Sequence, residues 1–280
     1  MVVGATSGYT FDQIRYWINS LDRSGFAGQR VVLVGNGDDN LVRQLGARGC
    51  QVVTRAALIG SSADADGPTT FLDRDMCVER YLLLWKFLSC LSADDVGFVI
   101  FVDMRDAIFQ LNPSKWLVDH IGEKKLVVSS EGLKYADEPW NRQSLREAFG
   151  PAVFDYMQDR LVWNCGTIAG ELGLLRELSL NLYLCSRTVA YADQAALNVL
   201  LSLEPYSGVT FFDRGEAGWA CEAATMVGSA RGPDLSYKFA GLEPLFDGDA
   251  VYTRGGRPYC VVHQYDRIPA WKVRLEKRFA

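Results

Sequence analysis

The run Val96-Gly97-Phe98-Val99-Ile100-Phe101-Val102 ends abruptly in Asp103-Met104-Arg105-Asp106, two acids three residues apart at the edge of an apolar segment. A run that is apolar at both alternating positions and rich in Val, Ile and Phe predicts a strand buried on both faces, as in parallel sheets. Open α/β sheets gather ligands at the carboxyl ends of their strands, so Asp103 and Asp106 are displayed where chemistry is usually done. Shorter apolar runs precede this one at Met1–Thr6, Arg30–Gly35 and Gln51–Val53. Segments of helical spacing separate them: one capped at Thr10 or Asp12 and running through Trp17 and Leu21, then Leu41–Arg48, and then Met76–Leu91 before the long run. This β-α-β-α-β order predicts an α/β, Rossmann-like domain with a mostly parallel central sheet and helices on both faces, because each parallel crossover must travel back over the sheet.

From Leu126 the apolar runs shorten, at Leu126–Val128, Gly166–Gly170, Val209–Phe212 and Tyr259–Val262, with helices expected near Gln143–Phe149 and Leu172–Ser186. Residues 1–280 are read as one domain, with 1–125 as a regularly alternating half and 126–280 as an elaborated half of the same sheet ending in a helix. Ser61–Pro68 reads as a loop. A net charge of −5 argues against a nucleic-acid partner, which calls for a clustered basic face. No segment is apolar for long enough to span a bilayer, and the start lacks the features of a secretory signal, so a cytoplasmic location is expected. The segment Trp271–Phe279 interleaves cations with large apolar groups. It reads as a helix packing its apolar stripe on the domain, or as a peripheral contact with the inner face of the membrane. Seven cysteines without CxxC pairs or zinc-ligand spacing read as buried free thiols.

Four polar clusters close apolar segments: Asp103/Asp106, Asn164-Cys165-Gly166, Asp193-Gln194 with Asn198, and His263 with Gln264 and Asp266. In content and order the set resembles glycosyltransferases of the GT-A fold, in particular the glycogenin-like and bacterial galactosyltransferase group. The phrase Asp103–Pro113 also resembles a segment of uncharacterised polysaccharide-associated transferases. The resemblance implies a hexosyltransferase of polysaccharide biosynthesis that takes a nucleoside diphosphate sugar, UDP-sugar favoured, and a glycan or lipid-linked acceptor, with retention of anomeric configuration. It also implies Mn²⁺ or Mg²⁺ held by Asp103, Asp106 and His263, with 1–125 as the nucleotide-binding half and 126–280 as the acceptor and donor-sugar half. Elementary chemistry agrees, because the charge growing on a diphosphate leaving group has to be neutralised, and a hard divalent cation with oxygen-rich ligands suits that task.

The pattern departs from the family at Arg105, which stands where the second acid of Asp-x-Asp belongs. On a straight strand Asp103 and Arg105 share a face and Asp106 does not, so the two acids converge only if the chain turns after Asp103. Alternatively Arg105 meets the diphosphate and Asp106 is ion-paired or caps the next turn. Asn164 and Gly166 are expected at the donor sugar or in a tight turn. Asp193 and Gln194 are expected beside the transferred sugar, with an ordinary N-cap at Asp193 as the alternative. The end of the first strand, Ala5, Thr6 and Tyr9, is the expected floor for base and ribose, with Tyr9 able to stack on a uracil-like ring. Arg80 resembles an Arg found near the nucleotide, or forms a surface pair with Asp75 or Glu79. Arg267 or Lys272 is the expected phosphate-facing cation, and Glu131 an acceptor-side catalytic residue. Trp140 and Trp163 stack on sugar faces or fill the core. An inverting reaction would need a base such as Glu131, Glu171 or Asp266. Two other readings are a sugar-nucleotide binder without catalysis and an aspartyl phosphohydrolase. Against the last, the second Asp falls one place late. His120 lies inside a helix and is set aside.

Overall fold

In a computed structural model, residues 1–36, 39–60, 76–187 and 189–280 are described; the loop expected at 61–68 lies outside them. The first half follows the expected order: β1 (Val2–Thr6), α1 (Phe11–Arg23), β2 (Arg30–Val34), α2 (Asp39–Ala47), β3 (Gln51–Thr54), a short α3 (Arg55–Ile59), α4 (Met76–Leu88) and β4 (Phe98–Val102). Thr10 is the N-cap of α1, and its backbone N–H donates to Gln13 Oε1 at 2.9 Å. The chain continues through β5 (Ala107–Phe109), α5 (Pro113–His120), β6 (Leu126–Lys134), α6 (Pro139–Met157), β7 (Leu161–Trp163), β8 (Thr167–Glu171), α7 (Leu172–Cys185) and α8 (Asp193–Leu201). Helix α6 is longer than the 143–149 segment expected and breaks at Gly150, which takes a left-handed φ of 80° ahead of Pro151. After β9 (Thr210–Asp213) and β10 (Ala220–Glu222) comes a small hairpin of β11 (Leu245–Phe246) and β12 (Val251–Tyr252). The chain ends in β13 (Val261–His263) and a C-terminal helix, Pro269–Arg278.

Strand β1 lies between β2 and β4, and β2 pairs with β3, all parallel. β8 runs antiparallel to both β4 and β6, so β6 points the same way as β4, and β9 is parallel to β6. Among the described residues β7 and β8 alone reverse, so the sheet is mostly parallel as expected. β4 is buried on both faces. Ile100 and Val102 enter the core beneath α1 with Ile14, Trp17 and Leu21, while Val99 and Phe101 enter the core beneath α4 and α7 with Leu84 and Leu175. Each such side chain contributes about 1.5–3 kcal/mol, which fixes where β4 ends and therefore where Asp103 emerges. A second sheet has β13 at its centre, parallel to β10 and antiparallel to β5.

In the C-terminal helix Trp271, Leu275 and the following Phe279 are buried in a core with Tyr265 and Ile268. The apolar stripe is spent on the domain, and Val273 is the one large hydrophobic left exposed on that helix. This stripe therefore supplies no face for the membrane contact weighed above. Among the described residues no helix is long and apolar enough to cross a membrane. All seven cysteines are free: Cys50, Cys165, Cys221 and Cys260 are buried as expected, whereas Cys90 is exposed.

Candidate active site

Beyond Val102 the backbone turns through Asp103–Asp106 before β5 begins. The turn cancels the strand alternation, and Asp103 Oδ2 and Asp106 Oδ1 each come to 3.7 Å from Nε2 of His263. His263 ends β13, paired with Ala107 of β5 on one side and Glu222 of β10 on the other, so the register of the second sheet sets it beside the turn. The three ligand atoms lie within 4.8 Å of one another. Bonds of 2.0–2.1 Å in an octahedron separate neighbouring ligand atoms by about 3 Å and opposite ones by about 4.2 Å, which brackets the 3.7 Å spacings. Two carboxylates and an imidazole therefore fit Mn²⁺ or Mg²⁺, the nitrogen favouring Mn²⁺. Gly166 closes over this cluster. Its carbonyl accepts from Asp103 N–H at 2.9 Å, and a Cβ there would stand 2.9 Å from Asp103 Oδ2 and 3.0 Å from His263 Nε2.

β7 and β8 lie along the same edge of β6. Ser130 pairs with Trp163 and Val127 with Ala169, three steps on β6 against six on the returning chain, so Asn164–Gly166 bulges out of the ladder. Asn164 makes the expected tight turn, accepting from Gly166 N–H at 2.7 Å, and its amide also donates to Glu131 Oε1 at 3.0 Å. Gln194 donates to Glu131 Oε1 at 3.0 Å and to Asn141 Oδ1 at 2.8 Å. Asp193 opens α8, but the N-cap is Ala192, so the capping alternative is not realised. Its carboxylate takes Arg80 at 2.9 Å and the Cys165 thiol at 3.3 Å instead. The other side of the Arg80 guanidinium pairs with Asp103. Arg80 is thus a buried bridge between the two acids, not a surface pair, and Glu79 pairs with Arg55.

No family model matches the sequence, and no curated protein matches it. Among solved structures, the chain overlays an active-site mutant of LgtC at a TM-score of 0.52 and 14% identity, over 94% of this chain and 86% of that one. The bifunctional glycosyltransferase WbbM overlays at 0.54 and 14% identity, over 99% of this chain, which spans about half (51%) of WbbM. The fold is GT-A. A structure of glucosyl-3-phosphoglycerate synthase from Mycobacterium tuberculosis with Mn²⁺ and UDP overlays at 0.43 and 17% identity, over 76% of this chain and 69% of that one, too distant to bear on the site.

In this GT-A fold most residues expected at the site line one cavity of about 680 Å³, with Trp163, Glu171, Asn198, Asp266 and Lys272 falling outside its lining. Ala5, Thr6 and Tyr9 form one wall, and the buried Thr6 Oγ1 has no hydrogen-bond partner among the described residues. Arg105 pairs with Asp106 at 3.0 Å and Asp266 at 3.4 Å, and Arg267 approaches Asp106 at 3.7 Å. Asp106 is therefore held by cations and, among the described residues, its carboxylate accepts no backbone N–H as a turn cap. Lys272, the alternative to Arg267 as a phosphate-facing cation, lies outside the cavity lining and pairs with Glu276 at 3.6 Å. Glu171 pairs with Lys125 outside the cavity, and His120 stacks on Trp116 at 4.5 Å. Trp140 is half-exposed on the rim, whereas Trp163 packs on Phe212 and Asn198 ties α8 to Trp163.

Burial raises the cost of ionising each acid, and local partners decide the outcome. For Asp103, Arg80 and then His263 outweigh burial and hold its carboxyl below the usual range. For Asp193 burial wins over Arg80 and pushes it up. Burial lifts Glu131 to about 7 against the amide donors of Asn164 and Gln194, with the charge of Glu222 also raising it. Burial disfavours the imidazolium of His263, yet Glu222 and Asp103 overcome it and keep the proton well above the ordinary range. Sequence reasoning missed Asn141 and Tyr191, which line the cavity, and Glu222, which sits behind His263. Glu222 carried one usable signal, a lone acid inside the apolar stretch Trp219–Ala223.

Proposed function

We propose that this chain is a glycosyltransferase that moves a hexose from a nucleoside diphosphate sugar, UDP-sugar favoured, to a glycan or lipid-linked acceptor in polysaccharide biosynthesis. The observation that carries the reading is the convergence of Asp103, Asp106 and His263 at the end of β4, on the wall of a cavity large enough for a sugar nucleotide. These three would hold Mn²⁺ or Mg²⁺, which when bound neutralises charge on the departing diphosphate. Arg105 and Arg267 stand beside the cluster and face the same anion. Thr6, with its unsatisfied hydroxyl, and Tyr9, with its ring on the wall, would take ribose and base, and Ala5 leaves room for them. Asn164 and Gly166 border the donor sugar. Asp193 and Gln194 would flank the anomeric carbon, the pairing from which retention is inferred, and Glu131 would face the acceptor hydroxyl.

The inverting alternative draws on Glu131, the one candidate base that lines the cavity and, among the described residues, carries no cation partner. A phosphohydrolase needs a free aspartyl nucleophile, and Asp103 is engaged by Arg80 and His263. The test is release of nucleoside diphosphate from a panel of nucleotide sugars with Mn²⁺ or EDTA. The reading expects release from at least one sugar nucleotide and its loss in EDTA, with the anomeric configuration of the product followed by NMR. UDP binding without any turnover would establish the non-catalytic binder instead, and no binding and no turnover would overturn both.

A further inference from the structure

Glu222 is an acid with no exposed surface at the end of β10, and none of the roles above uses it. Its Oε1 accepts from Ser129 Oγ and, at 2.9 Å, from Thr167 Oγ1. Its Oε2 lies 2.6 Å from Nδ1 of His263. Ser129 belongs to β6 and Thr167 to β8, both in the large sheet, whereas His263 belongs to β13 in the small one. One carboxylate therefore bolts the small sheet to the large one directly behind the imidazole.

A neutral side chain could link the sheets at lower cost, because a buried carboxylate persists only when it is paired and hydrogen-bonded. What the carboxylate adds is an obligatory acceptor for Nδ1–H. An imidazole that donates through Nδ1 leaves Nε2 with its lone pair, and Nε2 is the nitrogen turned towards Asp103 and Asp106. Metal-bound histidines commonly have such a carboxylate behind them, which fixes both ring orientation and tautomer.

We propose that Glu222 is a positioning residue that holds His263 with Nε2 presented to a divalent cation, anchored through Ser129 and Thr167 to the main sheet. The inference rests on the reading of Asp103, Asp106 and His263 as a cation site. Titration of the purified full chain with Mn²⁺ tests it. Glu222→Gln is expected to lower Mn²⁺ affinity by about 10–100-fold and to leave UDP binding in the absence of Mn²⁺ within about twofold. ¹⁵N NMR supplies a readout independent of activity and is simple to assign, since the chain has two histidines. At the same Mg²⁺ concentration, His263 in the wild-type protein should carry its proton at Nδ1 alone, whereas Glu222→Gln should add a population protonated at Nε2 and therefore unligated. If Glu222→Gln fails to fold by circular dichroism, the double variant Ser129→Ala/Thr167→Ala, which loosens only the anchor, should still weaken Mn²⁺ binding. Mn²⁺ affinity unchanged from wild type in the folded variants, with Nδ1 still protonated, overturns the role of Glu222 alone. Failure of the wild-type chain to bind Mn²⁺ overturns the cation site itself.

Discussion

Replacing Glu131 with Gln should alter stability least at acid pH and raise it progressively as pH climbs towards 8. Glu131 is buried on β6, and Asn164, Gln194 and Asn141 donate to it at 3.0, 3.0 and 3.2 Å. Burial nevertheless lifts its ionisation from 4.5 to about 7. At 1.36 kcal/mol per pH unit, the fold disfavours the carboxylate by about 3 kcal/mol. The raised value sets the sign. The contribution is complete below about pH 4.5, where folded and unfolded chains both keep the proton, and it is lost as pH rises through about 7. Gln keeps an acceptor oxygen for Asn164 and Gln194, loses the acceptor used by Asn141 at every pH alike, and cannot ionise. Urea denaturation at pH 5, 6, 7 and 8 should therefore show the smallest pH-linked gap at pH 5, where ionisation costs the wild type about 1 kcal/mol. The variant should become more stable by up to about 3 kcal/mol at pH 8. A gap that stays constant from pH 5 to 8 would refute the assignment.

Gly166→Ala places a methyl 2.9 Å from Asp103 Oδ2 and 3.0 Å from His263 Nε2, so the two ligands must part. Mn²⁺ affinity should fall at least tenfold with the circular dichroism spectrum unchanged, and unchanged affinity would contradict the geometry. Arg80→Met removes the cation shared by Asp103 and Asp193. It should cost about 3–5 kcal/mol in thermal or urea unfolding, the usual penalty for leaving a buried charge unpaired. Arg80→Lys should recover only part of that, because an ammonium cannot span both carboxylates as a guanidinium does. Trp140→Ala should change stability by less than about 0.5 kcal/mol, since the ring is half-exposed on the cavity rim. A large loss of melting temperature would instead make Trp140 a core residue.

The strand order in the first half was legible because each buried strand is a run of large apolar residues and each helix repeats them at its own period. β4 is the clearest case, with both faces apolar and an abrupt acidic end. Local pattern could not show where side chains go once the chain stops being regular. The turn after Asp103 brings Asp106 to His263 against the alternation of a strand, and it depends on pairing between β5 and β13, more than 150 positions apart. The bridging role of Arg80 was hidden for the same reason: its partners lie 23 and 113 positions away. Asp193 looked like a helix cap because acids at that position usually are, and only the buried guanidinium explains why it is not. Glu222 went unread because its partners, Ser129, Thr167 and His263, come from three separate strands. A sharp polar residue in an apolar run was visible, but its purpose was not.

The central claim is that the end of β4 forms a cation-assisted site for a nucleoside diphosphate, and calorimetric titration with UDP in the presence and absence of Mn²⁺ tests it most directly. UDP should bind the wild-type chain more tightly with Mn²⁺ than without it, and Asp103→Asn or His263→Ala should abolish the difference. An affinity that Mn²⁺ does not change, or no UDP binding under either condition, would contradict the account.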